Sequence, residues 1–315
     1  MTADFADAVT ALLGRPLGPD EPFAVALSGG PDSLALLLLA RRAFGDRVRA
    51  VTVDHGLRPA SAAEADDVAA HAATLDLPHA TLRWDGPHPA ANIHAAARAA
   101  RYRLMAEWCA ASGIAWLATA HHRDDQAETI LLRLARGSGS GGLSGIRPQR
   151  KLAPGVTLLR PVLTRTKAEL GAIVAAAGWV AIDDPSNRAE RFDRTHARAL
   201  LANTPWLDPA RLATAAAALA EVEAAVDWTS GVAWAGRATI TADGITVDAA
   251  GLPRELERRL LVRALVALSP AATPRGPDVD RLLDRLAAGR GGTLAGILVR
   301  VNAGDWDFAL APPRR

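Results

Sequence analysis

The stretch Phe23-Ala24-Val25-Ala26-Leu27-Ser28-Gly29-Gly30-Pro31-Asp32-Ser33 decides the fold. Residues 23–27 read as a short apolar strand and residues 32–44 as a helix, with Ser28-Gly29-Gly30-Pro31 turning one into the other. Glycines let the backbone approach a ligand and adopt positive φ. Pro31 suits the first helical position, where a missing donor costs nothing. The free amides that follow, added to the helix dipole, make an anion site. The hydroxyls of Ser28 and Ser33 can add donors to a phosphate. Asp32 is odd in a pure anion cradle, but a carboxylate there makes sense if it holds a magnesium ion bound to the same phosphates. A plain turn needs one glycine and a cap, not two serines, two glycines and an acid in six residues. There is no terminal Lys-Ser/Thr of a kinase-type loop and no Gly-x-Gly-x-x-Gly of a dinucleotide site.

Outward from this segment, strands and helices alternate. Strands are expected at 47–53, 79–84 and 114–119, and helices at 61–75, 90–112 and 124–135. This alternation predicts an α/β fold with a parallel, doubly wound sheet covered on both faces. Gly137-Ser138-Gly139-Ser140-Gly141-Gly142 then breaks the pattern, as a linker or as a mobile active-site loop. A strand at 157–163 and a helix at 167–177 follow, then turn chemistry in Asp183-Asp184-Pro185-Ser186-Asn187. A long alanine-rich helix at 207–228 reads as a connector. Beyond it, short strands at 238–240 and 245–247, two helices and a final strand pair predict a smaller C-terminal α+β domain. The expected division is a catalytic domain at 1–205, a connecting helix at 206–228 and a small domain at 229–315.

Composition agrees with two domains in 315 residues, of which 50% are hydrophobic and 22% charged. No apolar run approaches the ~20 residues of a membrane span. Residues 1–8 carry acids and no basic n-region, unlike a signal peptide. Cys109 is the only cysteine, which excludes an internal disulfide and suits a reducing cytoplasm. Net charge is only +2, and Lys151 and Lys167 are the only lysines. Arginine excess alone does not indicate an RNA partner, because it also follows from composition bias.

Three groups of residues carry chemistry. His121, Asp125 and Glu128 have the spacing of one helix face, just past the strand at 114–119. They read as a holder of a substrate ammonium, as helix-start acids favoured by the dipole, or as a His–carboxylate metal site. Asp54, at a strand end, contacts a nucleoside or caps a loop. Arg133, Arg136, Arg147, Arg150, Lys151, Arg160, Arg165 and Lys167 bracket the glycine-rich segment, as an RNA-backbone surface or as a solvated basic face.

The Ser28–Ser33 pattern resembles the pyrophosphate loop of the N-type ATP pyrophosphatases, the PP-loop family, which cleave ATP between its α and β phosphates and adenylate a substrate. Further segments resemble the tRNA(Ile)-lysidine synthases: Val53-Asp54-His55-Gly56-Leu57-Arg58, Ala97-Arg98-Ala99-Ala100-Arg101-Tyr102, Thr119-Ala120-His121-His122-Arg123-Asp124-Asp125-Gln126-Ala127-Glu128-Thr129, Arg160-Pro161-Val162-Leu163 and Asp184-Pro185-Ser186-Asn187. Two positions depart from the pattern: His94 stands where the family usually has Glu, and Thr195 where it usually has Asn.

The resemblance implies ATP as substrate with Mg2+, and ATP contacts from Ser28, Gly29, Gly30, Pro31, Asp32, Ser33 and Asp54. It implies Asp32, Arg101, His121 and Arg198 as catalytic residues, with Asp32 also the metal ligand. It implies Asp125 and Glu128 as the L-lysine site, and Arg136, Arg147, Arg150, Lys151 and Arg194 as contacts to a tRNA(Ile) with a CAU anticodon. The expected product is lysidine at the wobble cytidine, made in the cytoplasm without a membrane partner. Oligomeric state is left open, a homodimer included. A thiolation enzyme on the same fold would need paired cysteines or an iron–sulfur cluster, which Cys109 alone does not supply. An amidotransferase synthetase would need a glutaminase constellation. A non-catalytic ATP- or tRNA-binding module would be expected to have lost Asp32 or Glu128.

Overall fold

The computed structural model describes residues 2–57, 61–85, 88–89, 92–181 and 192–312. The expected turn at 183–187 lies outside them, as do Arg58 and the side chain of His94. The chain forms two compact units, residues 1–220 and 221–315.

The first unit is built on a six-stranded sheet. Its strands are β1 (Phe23–Ala26), β2 (Val48–Asp54), β3 (His79–Arg83), β4 (Trp116–Ala118), β5 (Gln149–Ala153) and β6 (Val156–Leu159), in spatial order β3-β2-β1-β4-β6-β5. The first five in that order are parallel. β5 is antiparallel, joined to β6 as a hairpin through Pro154-Gly155. The expected parallel, doubly wound sheet is thus present over five strands, with β5 added as an antiparallel edge. β5 carries exposed Gln149, Arg150 and Lys151, so its lack of apolar alternation hid it, and such charges suit an edge strand.

Consecutive strand residues serve different cores. Phe23, Val25, Val48 and Ala50 pack with α2 (Pro31–Phe44) and with α1 (Thr2–Leu13), which the sequence reading did not anticipate. α3 (Ser61–Ala73) and α7 (Lys167–Ala176) complete that face through Val68, Ala72, Leu170 and Val174. Ala24, Val51 and Leu117 instead pack with Met105 and Cys109 of α4 (Ile93–Ala111). Burial on both faces accounts for the near-continuous apolar reading of β1. β1 lies between β2 and β4, so the connections leave it in opposite directions. Open α/β sheets bind ligands at the carboxyl ends of strands beside such a switch point. The loop after β1 and the segment after β4 both reach that point.

α5 (Arg123–Ala135) follows β4, and the glycine-rich segment after it holds a single helical turn, α6 (Ser140–Leu143). Where a flexible loop was expected, the segment contains this turn and is bonded to α5. Arg133 donates to the carbonyls of Gly142 and Gly145 at 2.6 and 2.8 Å. Gln126, buried on α5, donates to Ile146 O at 3.2 Å and accepts from Ile146 N. Gly145 has φ +69°, and a Cβ there would sit 2.5 Å from Gln126 Oε1. Gly145→Ala is accordingly expected to lower stability by about 1–3 kcal/mol, read as a fall in the urea midpoint. An unchanged midpoint would mean that the strap is not held as described.

The unit ends with α8 (Phe192–Asn203), which packs on α5 and was not anticipated, and α9 (Pro209–Arg237), which runs beyond the expected 228 and across the boundary between units. In the second unit, α10 (Arg254–Leu268) and α11 (Gly276–Ala287) cover an antiparallel sheet. Its strands are β7 (Ala238–Ile240), β8 (Ile245–Val247), β9 (Gly292–Leu294), β10 (Ile297–Asn302) and β11 (Asp305–Leu310), in order β7-β8-β11-β10-β9. Leu260, Leu282, Val299 and Phe308 are among its buried residues. This is the small α+β arrangement expected, with one strand more. No helix among the described residues is long and apolar enough to cross a membrane.

Candidate active site

The turn after β1 is closed by its own serines. Gly29 takes φ +78°, which its lack of a Cβ permits. Pro31 occupies the first turn of α2. Ser33 is buried; its hydroxyl donates to Gly30 O at 2.9 Å and accepts from Ser28 N at 3.1 Å. Ser33 thus latches the loop, where the sequence reading gave its hydroxyl to a phosphate. Ser28 remains exposed. The entry to the loop is fixed from β2: Thr52 donates to Leu27 O at 3.0 Å and meets His79 Nε2 at 2.8 Å. Because the Thr52 proton goes to Leu27, His79 must donate through Nε2. Burial pushes the His79 pKa down, consistent with a neutral ring.

The segment Thr119-Ala120-His121-His122 runs from β4 to α5, and α5 begins only at Arg123 with His122 as its N-cap. His121 is therefore outside the helix and does not share a helical face with Asp125 and Glu128. Around the extended backbone of His122, neighbouring side chains point apart. His122 faces acids and His121 faces arginines.

His122 is 2% exposed. Its Nε2 lies 3.5 Å from Asp32 Oδ2 and 3.5 Å from Asp125 Oδ2, and its Nδ1 lies 3.5 Å from Asp124 Oδ2. Burial alone would depress the imidazolium, but Asp124, Asp32 and Asp125 outweigh it and hold the pKa up at about 10. The Asp125 amide also approaches Nδ1, at 3.4 Å. That distance is long for a hydrogen bond, and a protonated Nδ1 donates to Asp124 instead. His122 in turn holds Asp124 down at about 2, helped by the Lys167 amide at 2.9 Å. The sequence alone assigns no role to His122. The doubled His was the only signal, and it does not say which ring faces which way.

The folded-state pKa of His122 lies above the ordinary histidine value. Its charge therefore stabilises the fold fully below about pH 6.5, and that stabilisation declines as the pH rises, ending above about 10. A melting-temperature profile from pH 6 to 10.5 is expected to fall more steeply for the parent than for His122→Gln. Parallel profiles would show the ring uncharged.

The remaining acids are also engaged. Asp125 accepts from His122 N at 3.1 Å. Glu128 is 2% exposed and takes the Arg198 guanidinium side-on, through Nε and through Nη2 at 3.2 Å. Arg198 comes from α8, and its charge also feels Asp125 and Asp32. One oxygen of Asp32, Oδ1, is buried with no partner among the described residues. Asp54 is buried and accepts from Gly56 N at 2.9 Å, the geometry of a loop cap.

On the other side, Thr119 Oγ1 meets His121 Nδ1 at 3.0 Å. Burial, with Arg160, Arg98 and Arg194 nearby, pushes His121 well below the ordinary range, so it is neutral at pH 7. Arg101 is half-buried on α4 and has a partner of its own. Arg133 and Arg165, expected in the basic surface, are committed elsewhere: Arg133 to the strap and Arg165 to Asp4 at 2.7 Å.

The PP-loop domain family matches residues 1–204. Over 315 residues the chain is 40% identical to a tRNA(Ile)-lysidine synthase from Zymomonas mobilis, covering 99% of this chain and 94% of that protein. The chain belongs to the tRNA(Ile)-lysidine synthase family. A synthase of that name from Methylobacterium nodulans is 43% identical, covering 96% of this chain and 95% of its own length. Among solved structures, a U34-tRNA thiolase from Methanococcus maripaludis, with its 4Fe-4S cluster, superposes with a TM-score of 0.56 at 18% identity. It covers 70% of this chain and 79% of that one, a likeness of fold alone. The single thiol of this family member, Cys109, is buried in the core and pushed up to about 12 by that burial. It has neither the exposure nor the acidity of a reactive cysteine.

Proposed function

We propose that this protein uses ATP to attach free L-lysine to carbon two of the wobble cytidine of a tRNA(Ile) with a CAU anticodon, giving lysidine, AMP and pyrophosphate. The observation that carries the reading is Asp32, one buried oxygen of which has no partner among the described residues, gathered with Asp125 around His122 and with Glu128 around Arg198 beside the phosphate loop, in a chain of this family. Residues 28–33 take the outer phosphates through the backbone and the N-terminus of α2. Mg2+ suits the Asp32 oxygen, because that ion binds through one or two carboxylates and fills its shell with water and phosphate oxygens. When bound, it would neutralise phosphate charge.

In the first step the base carbonyl oxygen attacks the α-phosphate. A carbon-bound oxygen–phosphorus bond forms, and the bond between the α-phosphorus and the bridging oxygen breaks. Pyrophosphate departs toward the loop. Arg101 and Arg198 offset the developing charge. Neutral His121 serves here in the tautomer that accepts from Thr119 at Nδ1 and carries its proton on Nε2, from which it donates to the same oxygens. In the second step the ε-amine of lysine attacks carbon two, the carbon–oxygen bond breaks, and AMP leaves with the former carbonyl oxygen. Asp125 and Glu128 hold the incoming ammonium and take its protons. Glu128 can do so while paired with Arg198, because a carboxylate offers about four acceptor sites. Arg136, Arg147, Arg150, Lys151 and Arg194 hold the tRNA backbone, and the second unit reads the tRNA body.

The test supplies labelled lysine, ATP and an unmodified transcript. Label is expected in the RNA, and a guanosine in place of the wobble cytidine is expected to abolish it. Pyrophosphate release with no label in the RNA would overturn lysine as the amine.

A further inference from the structure

Most arginines with a defined partner in this structure face a carboxylate, as Arg15, Arg103, Arg198 and Arg254 do. Arg98, Arg150, Arg160 and Arg194 do not, among the described residues. Arg160 is the most constrained of the four. It is 6% exposed, donates through Nη1 to Arg147 O, lies within the electrostatic reach of Tyr102, and leaves Nε buried with no partner among the described residues. A guanidinium taken out of water without a counter-charge is costly unless an anion completes it. The Tyr102 ring is flanked by two more: Arg150 lies 4.8 Å and Arg98 5.3 Å from its centroid. Arg98 also donates through Nη2 to the Tyr102 hydroxyl at 3.4 Å. The ring holds both guanidinium groups in place, and their remaining N–H groups can meet an oxyanion. Both are exposed and so accessible to a polymer. An open groove of about 580 Å³ continues from Tyr102 and Arg150 between α4 and β5.

We infer that Arg98, Arg150 and Arg160, gathered on Tyr102 with Arg194 near them, form a binding site for a phosphodiester of the RNA backbone. The inference rests on the tRNA reading above and assigns to it Arg98, Tyr102 and Arg160. ATP phosphates are the other source of the same chemistry. The loop and Asp32 lie toward His122, whereas these arginines surround His121, which the mechanism above sets at the α-phosphate, so the nucleotide-analogue arm of the test separates the two sources.

The test uses an anticodon stem-loop RNA, with binding followed by fluorescence anisotropy across a salt series, and a non-hydrolysable ATP analogue in parallel. Arg98→Gln with Arg150→Gln is expected to weaken RNA binding by ~10-fold and to reduce the log–log salt slope by about one, with analogue affinity unchanged. Tyr102→Leu, which keeps every charge, is expected to weaken RNA binding by ~3-fold. RNA binding at parental strength in both variants overturns the site. So does a loss of analogue affinity with RNA binding intact, which would give the site to ATP. Lysine incorporation by the parent protein is measured alongside. Its absence counts against the lysidine reading, whereas these binding differences judge the phosphate site.

Discussion

Asp32→Asn is expected to cut lysidine formation by about 10²–10³-fold while the protein stays folded. The substitution keeps the volume of the side chain and removes its charge. What is lost is the charge on a carboxylate whose buried oxygen has no partner among the described residues and which the mechanism assigns to the metal and the phosphates. The fold should tolerate the change, because His122 keeps Asp124 and Asp125 as partners. Single-turnover label transfer, with a thermal melt on the same sample, gives both readouts. A variant that melts far below the parent would make Asp32 a structural counter-charge for His122. A folded variant with full turnover would remove Asp32 from the chemistry.

Arg198→Met is expected to abolish turnover and to destabilise the protein as well, because it strands Glu128 without a counter-charge. Breaking a buried pair costs about 3–5 kcal/mol. The lower end applies here, since the Arg198 side chain is 36% exposed and that of Glu128 only 3%. A loss of about 3 kcal/mol corresponds to a fall of roughly 6–12 °C in a chain of this size. The double variant Arg198→Met with Glu128→Leu separates the two effects. It should recover most of the melting temperature and none of the activity, because the apolar pair removes the stranded charge but restores neither the acid nor the cation. Recovery of activity with stability would show that the pair only holds α8 on α5.

The phosphate loop was legible because its chemistry is local. Residues 23–33 contain the strand, the glycines, the proline and the acid, and the structure puts a strand, a turn and a helix there. The alternation of elements was legible for the same reason. Other features depend on distance or direction. Arg198 and Glu128 meet across 70 positions, and nothing local at either marks the other. His121 and His122 differ by one residue and have opposite charge states, set by which side of the crevice each ring faces. Arg160 reads as one more basic surface residue, yet it is buried. β5 lacks apolar alternation because it is an exposed edge. The glycine-rich segment reads as slack because glycine frequency signals freedom, whereas the restraints on it come from Gln126 and Arg133, on a different element.

Those two restraints converge on one peptide unit. Gln126 and Arg133 stand seven residues, about two turns, apart on α5. Yet Arg133 grips the carbonyl of Gly145 and Gln126 grips the amide of Ile146, the two ends of a single planar bond. An ordinary tether is held at separated points and slides between them. Here two long side chains close on one point like the jaws of a clamp, and only a residue inserted between Gly145 and Ile146 would part the atoms that they hold.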